Sequence, residues 1–212
     1  MSTYAQRLQA IGETARALLT QTFTAREQAL LLCREVIQHC ALAIRSTHRG
    51  QYEAAQRQLA QARERLERVD ALLHQHPDVY YAGFVEDAQK EFAEASTLLA
   101  VLLGQPLPGF QDLKIGVAPY LNGLGEAVGE LRRAVLDALR RGEMERCHAL
   151  LEVMDDIYAL LITVDFPDGM TGGLRRTTDA VRGLVERTQG DVALAQRMHN
   201  LERRLEKGLP GE

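Results

Sequence analysis

Two pairs of carboxylates in this 212-residue chain have a spacing that could do chemistry. The first is Glu91 and Glu94, in Lys90-Glu91-Phe92-Ala93-Glu94-Ala95. Three residues apart on a helix, they share a face and lie within reach of one cation. Steps of four and three through Phe84, Ala88, Glu91, Ala95, Leu98 and Leu102 put Glu91 on an otherwise apolar stripe. A carboxylate there has to be paired, protonated or bound to metal, because a bare buried charge is very costly.

The second pair is Glu126 and Glu130, four residues apart in Asn122-Gly-Leu-Gly-Glu-Ala-Val-Gly-Glu-Leu-Arg-Arg133. It shares a face with Asn122, Arg133 and Asp137, opposite the apolar row Leu121, Leu124, Val128, Leu131, Val135. Gly123, Gly125 and Gly129 each weaken such a helix by about 1 kcal/mol relative to Ala, so a helix or a ligand is expected to come close to this backbone. On adjacent helices the two pairs form an all-oxygen set suited to Mg²⁺ or Mn²⁺. Such an ion activates water for attack on a phosphodiester and neutralises the charge that develops. Taken alone the pattern is weak, since 29 acidic residues on helices produce such spacings by chance.

Competing chemistries fit less well. A di-iron bundle needs Glu-x-x-His on two helices, and neither Glu91 nor Glu126 has His three residues on. The six histidines form no H-E-x-x-H and no spaced Cys/His group, which argues against zinc. No G-x-x-x-x-G-K-[ST] and no G-x-S-x-G occurs.

The elements that must position these acids are helices. A period near 3.6 runs through almost the whole chain, and no stretch alternates as a strand would. The pattern predicts an all-α bundle of about seven long antiparallel helices in a single domain, 1–212. The first covers about 3–48, with a bend near Thr20 to Thr24 and Gly50 as its stop. The second covers about 52–75, the third 79–103, and a loop follows to Lys114. The fourth starts near Pro119 and ends before Gly142, the fifth runs about 143–164, the sixth 170–189, and Gly190-Asp191 opens a short last helix to about 207.

Composition agrees: 46% apolar, 5% aromatic and no Trp suit long packed helices. There is no signal sequence and no long uncharged apolar run, so a cytoplasmic protein that contacts no membrane is expected. Cys33, Cys40 and Cys147 form no C-x-x-C pair and are expected as buried core thiols. A net charge of -4 excludes a wholly basic surface but not a local Arg-rich lining for phosphate.

Four stretches together resemble the translin/TRAX family, over about residues 27 to 200. They are Arg34 to Tyr52, ending Ile44-Arg-Ser-Thr-His-Arg-Gly-Gln-Tyr; Lys90 to Ala95; Asp112 to Arg133; and Asp165 to Asp191, with Thr171-Gly-Gly-Leu-Arg-Arg-Thr-Thr-Asp. The resemblance implies a seven-helix fold assembled into a hollow homo-oligomer, commonly an octamer, that handles single-stranded RNA, or single-stranded DNA, inside. In TRAX-type members a Glu-x-x-Glu pair and an acid on the next long helix support Mg²⁺-dependent endoribonuclease activity. These positions match Glu91, Glu94 and Glu126, the last a Glu where TRAX has Asp. Glu130 matches an acid shared with non-catalytic translin, so it is either a fourth metal ligand or structural. Candidate RNA contacts are Arg45, His48, Arg49, Lys114, Arg132 and Arg133, with Arg175 and Arg176 as a further cluster. The alternative implied by the same resemblance is a translin-like nucleic-acid-binding protein that does not cleave.

Overall fold

Small residues set how closely the helices of this protein pack. In the computed structural model, which describes residues 3–208, Ala25, Ala29, Cys33, Val36, Cys40 and Ala43 recur on one face of α1 (Thr3–His48) and are buried. That face takes α2 (Tyr52–Leu73) through Ala55, Ala62, Leu66 and Val69. The turn between them needs Gly50, whose φ of 70° lies in the left-handed region.

A single turn, α3 (Pro77–Tyr80), precedes α4 (Phe84–Leu103), which is the central helix. From Phe92 to Ala100 every residue of α4 is buried, and Ala88, Ala93 and Ala95 let neighbours approach on several sides. The connection to α6 (Val117–Arg140) carries a second single turn, α5 (Phe110–Leu113). It is long enough to return the chain to its starting end. Gln89 therefore meets Gly116, Ala93 meets Gly123, and Lys90 meets Glu126, so α4 and α6 run side by side in the same direction. Tyr80 bonds Asp70, and Gln89 bonds both Tyr80 and Gly116, which ties α2, α3, α4 and the start of α6 into one polar brace.

α7 (Met144–Leu161) folds back along α6, a third single turn, α8 (Asp168–Thr171), follows, and α9 (Leu174–Gly208) covers α6 and α7. Among the described residues there is no strand, and the core is one cluster shared by the long helices. The three cysteines are free and buried as expected, and burial pushes the Cys33 thiol up to about 12. No described helix is long and apolar enough to cross a membrane.

Nine helices are thus described where the sequence pattern suggests about seven: six long ones and three single turns. No helix break falls at Thr20 to Thr24, where a bend is expected: α1 runs through it as one helix, and both hydroxyls bond the carbonyl four residues back. The expected break at Gly190 is also absent. Thr188 and Val192 are buried on either side of it, and Arg132 holds Thr188 and Asp191. Packing there outweighs the propensity loss of about 1 kcal/mol at one Gly.

Candidate functional site

Parallel packing of α4 against α6 brings the acids together. Glu91 and Glu94 project from α4 and Glu126 from α6, and each offers one oxygen within 4.8 Å of the others. Two glycines make this approach possible. A Cβ on Gly123 would lie 2.6 Å from Ala93 Cβ and 2.6 Å from the Lys90 carbonyl oxygen, and one on Gly125 would lie 2.3 Å from Thr177 Cγ2. The glycines expected to admit a helix therefore admit α4 and α9. Gly129 faces open space.

Burial orders the three carboxyls. Glu94 sinks deepest, at 9% exposure, rather than Glu91, which the apolar stripe singled out. Because α4 is buried almost all round here, no single stripe marks its inner face. Burial, reinforced by Glu91 and Glu126, pushes the Glu94 carboxyl up to about 8. Burial and the Glu126 charge also raise Glu91. The nearest cation is Lys90, whose Nζ lies 2.8 Å from Glu126 Oε1. Burial draws Lys90 down, but the bond and charge of Glu126 outweigh this and hold it above its ordinary value. Nothing in the local sequence marks Lys90 for this role, because its partner lies on another helix.

Glu130 is turned to other work. It accepts a hydrogen bond from His48 Nε2, and Arg133 lies 3.7 Å away. The His48 bond lowers its carboxyl, against the opposing effect of partial burial. Asn122, on the same face of α6 in sequence, is buried. It donates to the Ala118 and Thr171 carbonyls and accepts from Thr177, so it joins α6 to α8 and α9.

The cations divide in the same way. Arg45 and Arg49 are exposed at the end of α1 and have no ion pair among the described residues. His48, between them, has its side chain buried against Glu130. Lys114 caps α5 in the left-handed conformation and faces Glu67 at 3.7 Å. Arg132 is held by Thr188 and Asp191, both at 2.8 Å, while Arg133 is exposed. Arg175 pairs with Asp165 at 3.2 Å, and Arg176 lines a cleft beside Glu126.

Comparison with known proteins identifies the family of the fold. The solved structure of AfC3PO in complex with duplex RNA is 36% identical, with a TM-score of 0.82 over 88% of this chain and 96% of that one. The chain belongs to the translin/C3PO family. AfC3PO solved by itself agrees, at 36% identity and a TM-score of 0.81 over 88% of this chain and 97% of that one. Apo-NeC3PO, at 18% identity and a TM-score of 0.72 over 89% and 96%, shares the fold. An uncharacterised protein of Methanocaldococcus jannaschii is 31% identical over 169 residues, 79% of this chain and 74% of that protein. No family model matches.

Proposed function

We propose that this chain is a divalent-cation-dependent endoribonuclease acting on RNA inside a hollow homo-oligomer, an octamer by family likeness. The observation that carries the reading is the convergence of Glu91, Glu94 and Glu126 within 4.8 Å. Three carboxyls with one lysine among them are under-neutralised, and the donor set is all oxygen, so Mg²⁺ or Mn²⁺ fits it by charge and hardness. Glu91, Glu94 and Glu126 would hold the ion. When bound, it supplies activation of water and neutralisation of charge on the phosphodiester.

The remaining work falls to the chain's own groups. Lys90 holds Glu126 in place through its ion pair, and Glu130 keeps His48 and the end of α1 fixed beside the acids. Arg45, Arg49 and Arg133 offer exposed guanidinium groups to an RNA backbone. AfC3PO was solved with duplex RNA, which supports RNA as the ligand class and makes strand form a variable to test against the single strand expected here. Assembly is supported by exposed apolar side chains on α1 (Tyr4, Leu8, Ile11 and Leu18) and on α9 (Leu194, Met198, Leu201 and Leu205).

A second reading, a translin-like binder that does not cut, is favoured by one observation. Without an ion the site is already settled, with Lys90 on Glu126 and Glu94 protonated near neutral pH. Labelled single-stranded and duplex RNA, incubated with Mg²⁺, Mn²⁺ or EDTA, separates the two. Cation-dependent cleavage by the parent that is absent in Glu91→Gln supports the nuclease. Binding without cleavage under every condition supports the binder.

A further inference from the structure

Between α4, α6 and the start of α9 lies an open cleft of about 560 Å³, within the size range of small-ligand sites. Its walls differ in chemistry. Ala118, Pro119, Ala180 and Leu184 give it an apolar side, and Lys90 and Arg176 supply the cations. Glu126 belongs both to this cleft and to the acidic trio, so a molecule seated here borders the trio directly.

Arg176 differs from the residue beside it. Arg175 is bonded to Asp165, whereas Arg176 has no ion pair among the described residues. A guanidinium in a concave site with no carboxylate on it suits the paired oxygens of a phosphate. Two further acids, Glu86 and Asp87, also line the cleft, so acids outnumber cations three to two. A free inorganic anion is therefore poorly held. A ligand that gains from the apolar wall as well as from the cations is favoured.

We infer that this cleft seats one nucleotide of an RNA strand, with its phosphate between Lys90 and Arg176 and its base against the Pro119 and Leu184 side. The assignment rests on the RNA reading above and deepens it, adding a subsite beside the acids with residues of its own. The wall carries no aromatic side chain, so it gives a base apolar contact without a stacking platform, and discrimination among bases is slight.

The test uses a fluorescein-labelled hexauridylate RNA, followed by anisotropy in EDTA over a range of salt, with melting temperature and Mn²⁺-dependent cleavage measured in parallel. Ala180 is exposed on the cleft wall, so Ala180→Phe fills the cleft without entering the core; Arg176→Ala removes the free cation. Both variants should keep the parent melting temperature and bind the RNA at least tenfold more weakly. Arg176→Ala should also flatten the salt slope by about 0.7. Glu91→Gln should retain binding in EDTA, and millimolar inorganic phosphate should not displace the RNA from the parent. Parent-like affinity in a folded Arg176→Ala overturns the inference, with or without a folded Ala180→Phe. Full displacement by phosphate also overturns it, in favour of a simple anion site. A parent that binds but never cuts ends the nuclease reading and leaves the cleft assignment standing, while a parent that binds no RNA ends both.

Discussion

The Nε2 of His48, the last residue of α1, bonds Oε2 of Glu130 on α6 at 2.5 Å, joining positions 82 residues apart in the chain. The contact keeps Glu130 ionised and tied to α1, outside the trio of converging acids, although its charge still adds to the upward push on Glu94. Glu130→Gln should therefore damage stability more than chemistry. Loss of a charged hydrogen bond with a largely buried partner corresponds to about 1.5–3 kcal/mol. Thermal unfolding should show a drop of several degrees, while any Mn²⁺-dependent cleavage stays within a few-fold of the parent. Because the Glu130 carboxyl is lowered, its contribution is present above the ordinary carboxylate range and is lost as pH falls through the lowered value. A stable Glu130→Gln that has lost all cleavage would move Glu130 into the metal set.

Glu91→Gln, Glu94→Gln and Glu126→Gln should show the reverse. Each keeps the shape of the side chain and removes a charge that the cation needs, so cleavage should fall by orders of magnitude. Folding should survive, and the cation-free melting temperature should hold or rise, since neutralising one of three close carboxyls relieves repulsion. Glu91→Gln that melts early and cuts RNA at the parent rate would end the catalytic assignment.

How far the sequence reaches is visible in these same residues. Helical period and stop signals place both ends of α1 and α6 and the C-terminal end of α4 to within a few residues; spacing marks two acid pairs, and the family resemblance singles out Glu91, Glu94 and Glu126, the three that meet. The limit is the third dimension. Glu126 and Glu130 are equivalent i,i+4 partners on paper, and only the neighbouring helices decide that one faces Glu91 while the other faces His48. Arg132 and Arg133 divide likewise, the first onto α9 and the second into solvent. Gly190 reads as a helix boundary because local propensity is all a sequence window contains, whereas its fate was set by Arg132 holding Thr188 and Asp191.

Glu94 gives the cation-free protein a pH signature. With its carboxyl pushed up to about 8, the folded state holds a proton that the unfolded chain, near 4.5, releases. Stability from this group is therefore fully present below about 4.5 and is lost as pH rises from there through about 8. Thermal melts in EDTA should decline by several degrees from pH 5 to pH 8, and Glu94→Gln should remove most of that slope. Cation binding, which needs the carboxylate, should release close to one proton near pH 7, read by calorimetry in buffers of different ionisation enthalpy. A slope unchanged in Glu94→Gln would assign it elsewhere.

RNA affinity should depend on the exposed arginines and not on the half-buried Arg132. Replacing Arg45, Arg49 and Arg133 together by Ala should weaken binding and reduce the salt slope by about 2 for a single strand. Arg132→Ala should instead lower the melting temperature by loosening α9, with its salt slope unchanged. Equal slopes for the triple variant and the parent would remove these three residues from the interface.

The glycines of α6 allow the sharpest separation of packing from function. Gly123→Ala forces a Cβ to 2.6 Å from a backbone oxygen of α4, and that contact cannot swing aside, so a loss of about 1–3 kcal/mol is expected from overpacking. Gly125→Ala meets Thr177 Cγ2 at 2.3 Å, a side-chain atom, and the cost depends on whether Thr177 can turn without losing its bond to Asn122. Gly129 has nothing within 4 Å of its absent Cβ, so on packing grounds Gly129→Ala should gain about 0.5–1 kcal/mol from helix propensity and melt a few degrees higher. A glycine that weakens its helix while its missing Cβ would touch nothing among the described residues is explained if an RNA backbone or a second subunit comes close there. Gly129→Ala should then be more stable as a folded chain and yet bind RNA less well or assemble less completely, measured by anisotropy and light scattering. A Gly129→Ala protein that gains stability while RNA affinity and subunit count stay at the parent values would show that nothing approaches this face of α6.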